Sequence, residues 1–159
     1  MGLGDDGFTI ALRVARLDGS ATRQVLSGER FHGFSAPRFS PDGKQILVVA
    51  IGGPTTDQQG YPTTPRSESP LQRLLGLFQL PVAEAHGTGE DLWIVNTDGT
   101  GLRRLTAIAE DGARAVFSPD GRQIVVLAGG GMYLMESNGD HLRQIAPFGA
   151  YGGLDWGRR

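Results

Sequence analysis

The sequence predicts an all-β protein assembled from repeated four-stranded antiparallel units. Three observations predict it. Residues 12–25 (LRVARLDGSATRQV), 92–105 (LWIVNTDGTGLRRL) and 132–145 (MYLMESNGDHLRQI) align without a gap. A second motif does the same: residues 36–50 (APRFSPDGKQILVVA) match residues 114–128 (RAVFSPDGRQIVVLA). The two motifs alternate at a fixed spacing, with Asp98 and Asn138 roughly 40 residues apart. That is the length of one four-stranded blade of a β-propeller.

Each element follows from its turn chemistry. In the first motif an apolar run, a turn and a second apolar run share one register, with Asp18-Gly19, Asp98-Gly99 and Asn138-Gly139 at the turn. Asp-Gly and Asn-Gly accept the positive φ of a tight hairpin turn. In the second motif Ser-Pro-Asp-Gly is the turn: proline presets φ and glycine takes the left-handed position. Asp42, Gly43, Asp98, Gly99, Asp120, Gly121 and Gly139 are therefore structural turn residues. The apolar runs over 46–51 and 124–128 read as strands buried on both faces. Calling the strands A to D, the order is A, Ser-Pro-Asp-Gly turn, B, loop, C, Asx-Gly turn, D.

The expected organisation is a single propeller-type domain over 1–159. Residues 8–26 supply strands C and D of a first blade. Residues 36–105 form a blade interrupted by an insertion over 52–90, and 114–145 form a second complete blade. Residues 153–156 supply strand A of a closing blade. Phe39, Phe117 and Trp156 share one register, and Trp93 aligns with Tyr133. All five are expected to pack between blades.

These motifs resemble the TolB-like β-propeller repeat family. Its signature is an aromatic before Ser-Pro-Asp-Gly, an apolar strand, and a strand ending in a polar-x-Asp-Gly turn. Residues 39–43, 117–121 and 94–99 carry that pattern, and Asp155-Trp156 looks like the family's usual ending. The resemblance covers about three-quarters of the chain and omits the insertion. It implies a ring, commonly of six blades, and a periplasmic or extracellular protein of bacteria. It implies no single function, because one fold hosts many.

About three blades form an open arc, since a propeller ring needs at least about four. Two expectations stand side by side. Either the chain is part of a longer propeller, or two chains combine as a homodimer completing a six-bladed ring. In the second case strand A of one chain joins strands C and D of the other.

The insertion begins as a Pro-, Thr-, Gln- and Gly-rich excursion. Then Ser69 and Pro70 provide an N-cap and a first helical residue, and Pro81 ends the run. Between them Leu71, Leu74, Leu75 and Phe78 fall on one face at helical spacing. This short amphipathic helix can fold back on its own propeller, dock a partner or lie on a membrane surface. The last fits least, because Arg73 is its only cation. B–C and D–A loops emerge on one face of a propeller, and that face carries the insertion and the longer loops. Leu71, Leu74, Leu75, Phe78 and Arg73 are thus the candidate contacts for a protein or peptide partner.

Composition narrows the functions. The net charge of −2 offers no basic field for nucleic acid. Without an 18-residue apolar run nothing spans a membrane as a helix. With no cysteine, disulfides and thiolate chemistry are excluded. No cofactor or metal is expected: His32, His86 and His141 lack ligand spacing, and the turn aspartates form no calcium loop. Gly33-Phe34-Ser35-Ala36-Pro37 lacks the second glycine of a nucleophile elbow. Gly129, Gly130 and Gly131 join two strands, which does not suit a phosphate loop. Glu90-Asp91 and Glu110-Asp111 read as solvated charge, with a weak cation or basic-partner site as the alternative. No catalytic residue is expected. The leading reading is a non-catalytic scaffold that binds a protein or peptide. The alternatives are the propeller portion of a hydrolase and a propeller that binds a small ligand or sugar.

Overall fold

The computed structural model describes residues 10–54, 89–108 and 112–157. Among these residues ten strands carry the fold: β1 Ala11–Ala15, β2 Thr22–Ser27, β3 Phe31–Phe39, β4 Gln45–Gly52, β5 Glu90–Asn96, β6 Arg103–Arg104, β7 Arg114–Phe117, β8 Gln123–Ala128, β9 Gly131–Glu136 and β10 Arg143–Ala146. They form one two-stranded sheet, β1-β2, and two four-stranded sheets, β3-β4-β5-β6 and β7-β8-β9-β10. Neighbours pair antiparallel throughout. The A-B-C-D meander read from the repeats is thus present twice in full. The first blade contributes strands C and D.

Packing explains the unbroken apolar run of strand B. Ile46, Val48 and Ala50 join Leu12, Val25, Phe31, Trp93 and Val95 in one buried cluster. Leu47 and Val49 point the other way, into a cluster with Ile94, Leu105, Phe117, Ile124, Val126 and Met135. Successive side chains of a strand face opposite sides, so a blade between two others buries both faces. The first cluster fills the junction of blades one and two, and the second that of blades two and three.

The sequence-derived boundaries shift in three places. Strand A of the second blade begins at Phe31, ahead of the expected start at 36, and a 3-10 turn at Gly28–Arg30 leads into it. The strand runs irregularly, with register shifts between Phe31 and Gly33 and between Ser35 and Arg38. Ala36 sits at φ 47 within the second. Strand D of the same blade is two residues long, although Leu105 N–H still donates to the Leu92 carbonyl at 2.7 Å. Residues 153–157 form no strand. A strand needs a ladder partner, and none stands beside them among the described residues.

Four of the five expected packing aromatics are wholly or partly enclosed. Trp93 and Phe117 are buried, Tyr133 packs partly buried against the second cluster, and Trp156 is half-buried. Phe39 departs from expectation at 55% exposed. It shares its register with Phe117, which the second blade covers. The corresponding neighbour of Phe39 is the first blade, whose described strands are C and D alone.

Candidate functional site

The hairpin turns define one face. In the A–B turns Ser40 Oγ donates to Asp42 Oδ1 at 2.6 Å and accepts from Gln45 N at 3.0 Å. Ser118 repeats this with Asp120 at 2.6 Å and Gln123 N at 2.9 Å. In the C–D turns Asp18 Oδ1 accepts from Ser20 N and Oγ, and Asp98 Oδ1 from Thr100 N and Oγ1. Asn138 Oδ1 accepts from Asp140 N at 3.0 Å. The glycines follow at positive φ, 70° at Gly43 and 71° at Gly121, 90° at Gly99 and Gly139. Within each complete blade the two turns are also bonded to each other. Thr97 N–H donates to the Lys44 carbonyl, and Ser137 N–H to the Arg122 carbonyl. All the predicted turn residues therefore sit together, in structural roles, on one end of the sheets.

These hydrogen bonds make the turns acid-sensitive. Donation from the Ser40 hydroxyl and the Lys44 N–H holds the Asp42 carboxyl below the usual carboxylate range. Ser20, Thr100 and Ser118 hydroxyls, helped by backbone N–H groups, do the same for Asp18, Asp98 and Asp120. The folded carboxyls bind protons less readily than the unfolded ones. This contribution is complete above about pH 4, the ordinary carboxylate value, and is lost as pH falls through the lowered folded values. The thermal midpoint is expected to drop as pH is lowered below about 4. Substituting asparagine at 18, 42, 98 and 120 keeps the acceptor and is expected to shrink the drop. An equal drop in the substituted protein would place the acid sensitivity elsewhere.

The opposite face carries the loops and one polar network. Asp91, 6% exposed, is the second residue of β5, where the chain returns from the insertion. Its carboxylate pairs with the Arg104 guanidinium and accepts from Thr106 Oγ1 at 3.2 Å. Thr106 Oγ1 accepts in turn from Leu92 N at 2.9 Å, and Arg104 Nε donates to the Thr106 carbonyl at 2.8 Å. Beside it Glu90 Oε2 accepts from Ala113 N at 3.0 Å, tying the foot of the insertion to the third blade's first strand. Glu90 and Asp91 are thus held in place, where the sequence alone suggested solvated charge.

An aromatic group lies on the same face. Phe31 meets Trp93 edge to face at 5.2 Å and Phe34 at 4.7 Å. A Cβ on Gly53, at φ +121, would fall 2.4 Å from Trp93 Cζ2. Glycine there is what lets the chain leave β4 over the ring.

Leu71, Arg73, Leu74, Leu75 and Phe78 lie outside the described residues, as do His86 and Glu110-Asp111. The remaining candidates are not brought together. His141 Nδ1 lies 2.9 Å from Glu136 Oε1, exposed beside its turn. Ser35 Oγ is buried with no hydrogen-bond partner among the described residues. Gly129 and Gly130 connect β8 to β9 within one sheet, and Gly131 is the first residue of β9. Among the described residues no three His, Asp or Glu side chains converge as a metal site, and no helix is long and apolar enough to cross a membrane.

One set of inter-blade residues escaped sequence reasoning. Arg23 Nη2 donates to the Thr97 carbonyl of the next blade. Arg103 reaches the Asn138 carbonyl through Nη1 and the Ser137 carbonyl through Nη2, the latter at 3.4 Å. Burial works against its charge, lowering its pKa from the usual arginine value. The signal was available: arginine stands five residues after the turn Asx in all three hairpins.

Two consecutive A-B-C-D meanders with apolar junctions on both sides of the middle blade define a β-propeller arc. The comparisons agree. A TolB from Acinetobacter baumannii superposes with a TM-score of 0.55 at 16% identity, covering 91% of this chain and 29% of that one. An oligogalacturonate lyase in complex with manganese gives 0.53 at 11% identity, covering 85% and 28%. At such identities the likeness is one of fold. Among curated proteins, the Tol-Pal system protein TolB of Anaeromyxobacter dehalogenans strain 2CP-C is 30% identical over 100 residues, 57% of this chain and 23% of that protein. The TolB of Anaeromyxobacter sp. strain K matches at the same identity and coverage. No family model matches. The repeats, about three blades of them, are similar to those of TolB propellers, and the chain spans about a quarter of the length of the curated relatives it matches.

Proposed function

We propose that the chain is a non-catalytic propeller scaffold that binds a protein or peptide through the face carrying the 52–90 insertion and the D–A loops. The contrast between the two faces carries this reading. One face ends in short turns whose Asx and Ser side chains are engaged in their own turn backbone. On the other, the return of the insertion is clamped by Asp91, Arg104, Thr106 and Glu90. Elaborated loops on a rigid base are where binding resides. Leu71, Leu74, Leu75, Phe78 and Arg73 supply the contact surface. The partner is a protein of a Tol-Pal system, after the system that names the curated relatives. The setting is the bacterial periplasm, and two copies complete a six-bladed ring.

The test is titration of the purified chain with the Pal component of the same bacterium. A Leu74→Glu/Phe78→Glu variant is expected to bind at least about tenfold more weakly, a loss of about 1.4 kcal/mol. An Asp42→Asn/Asp120→Asn variant is expected to bind as the parent does. Loss confined to the second variant would move the site to the turn face and overturn the proposal.

A further inference from the structure

Both blade junctions obey one rule. Strand D of a blade lies against the C–D turn of the next, and its arginine donates to main-chain carbonyls of that turn. The turn glycine is seated on the same strand. A Cβ on Gly99 would fall 2.9 Å from the Val25 carbonyl oxygen, and one on Gly139 3.1 Å from Leu105 Cδ2. An acid stands near each arginine. Arg23 helps hold the Asp98 carboxyl low, and Asp140 favours the charged form of Arg103.

The two ends of the arc carry the two halves of a third such junction. Arg143 occupies the position of Arg23 and Arg103; its main chain pairs with Leu134 in the β9–β10 ladder, while its exposed guanidinium reaches no carbonyl or carboxylate among the described residues. At the other end the turn of the first hairpin is open. Leu17, aligned with Thr97 and Ser137, is fully exposed, and a Cβ on Gly19 would meet nothing within 4 Å. Asp18 stands where Asp98 stands.

We propose that a second copy of this chain docks head to tail, Arg143 of one copy donating to the Leu17 carbonyl of the other beside its Asp18. The inference rests on the two-copy ring and assigns the residues that join it. Arg13 aligns with Trp93 and Tyr133, so this junction lacks the aromatic of the internal ones. Charge complementarity then carries a larger share of the joint.

Sedimentation equilibrium of the full chain tests this, with Arg143→Asp, Asp18→Arg and the double variant. Both positions are exposed, and circular dichroism checks that each variant is folded. Arg143→Gln serves as a milder probe. The parent is expected to sediment at twice the chain mass. Each charge reversal is expected to raise the dimer dissociation constant about tenfold or more, Arg143→Gln by less, and the double variant to recover most of the loss. A dimer unmoved by either reversal would overturn the junction and leave the two-copy ring standing. A monomer at every concentration would overturn both.

Discussion

Replacing Trp93 with alanine is expected to lower stability by about 3–5 kcal/mol, the loss for a large aromatic removed from a packed interior. The ring is 1% exposed and sits between blades one and two with Phe31, Val48 and Val95. The readout is the urea midpoint at unchanged slope. Trp93→Phe separates shape from polarity. Trp93 Nε1 is buried without an acceptor among the described residues, and an unsatisfied donor costs about 1–3 kcal/mol. Phenylalanine leaves a smaller void and removes that donor, so its loss is expected to be less than half that of alanine. Equal losses would mean that the indole N–H has an acceptor after all. Since a domain of this size is stable by about 5–15 kcal/mol, the alanine variant is close to unfolded at ambient temperature.

Asp91→Ala is expected to cost about 3 kcal/mol, because it strands a partly buried guanidinium. The aspartate side chain is 8% exposed and that of Arg104 27%, so water screens the stranded cation in part. The double variant Asp91→Ala/Arg104→Ala is expected to cost less than Asp91→Ala alone. The excess lies in the orphaned charge, which the second substitution removes. A double-mutant cycle reads the coupling directly. Additive losses would show that the pair does no more than two independent surface groups.

The turns and the strands that follow them were legible because their causes are local. Ser-Pro-Asp-Gly and Asx-Gly specify their own dihedrals, and Ile46–Ala50 declares burial on both faces by lacking polar alternation. Phe39 was not legible, because register tells which way a side chain points and says nothing of what stands opposite. The early start of strand A was hidden by Gly33, Ser35 and Pro37, which read as loop until a second chain segment supplies the ladder. The Asp91, Arg104 and Thr106 network was invisible for a different reason. It occurs in one blade only, where Gly131, Gln144 and Ala146 align in the next, so no repetition drew attention to it. The inter-blade arginines did repeat. Their acceptors are main-chain oxygens, which no residue type announces.

That choice of acceptor has an evolutionary reach. Every amino acid carries a carbonyl, so the acceptor cannot be lost by substitution. Threonine and serine stand at 97 and 137, and the socket is indifferent to which. A donor gene segment that keeps one arginine and one turn glycine can be duplicated, diverge at nearly every other turn position, and still dock on its neighbour. Modularity of this kind lets rings grow or shrink by whole blades without co-evolving matched side chains at every seam.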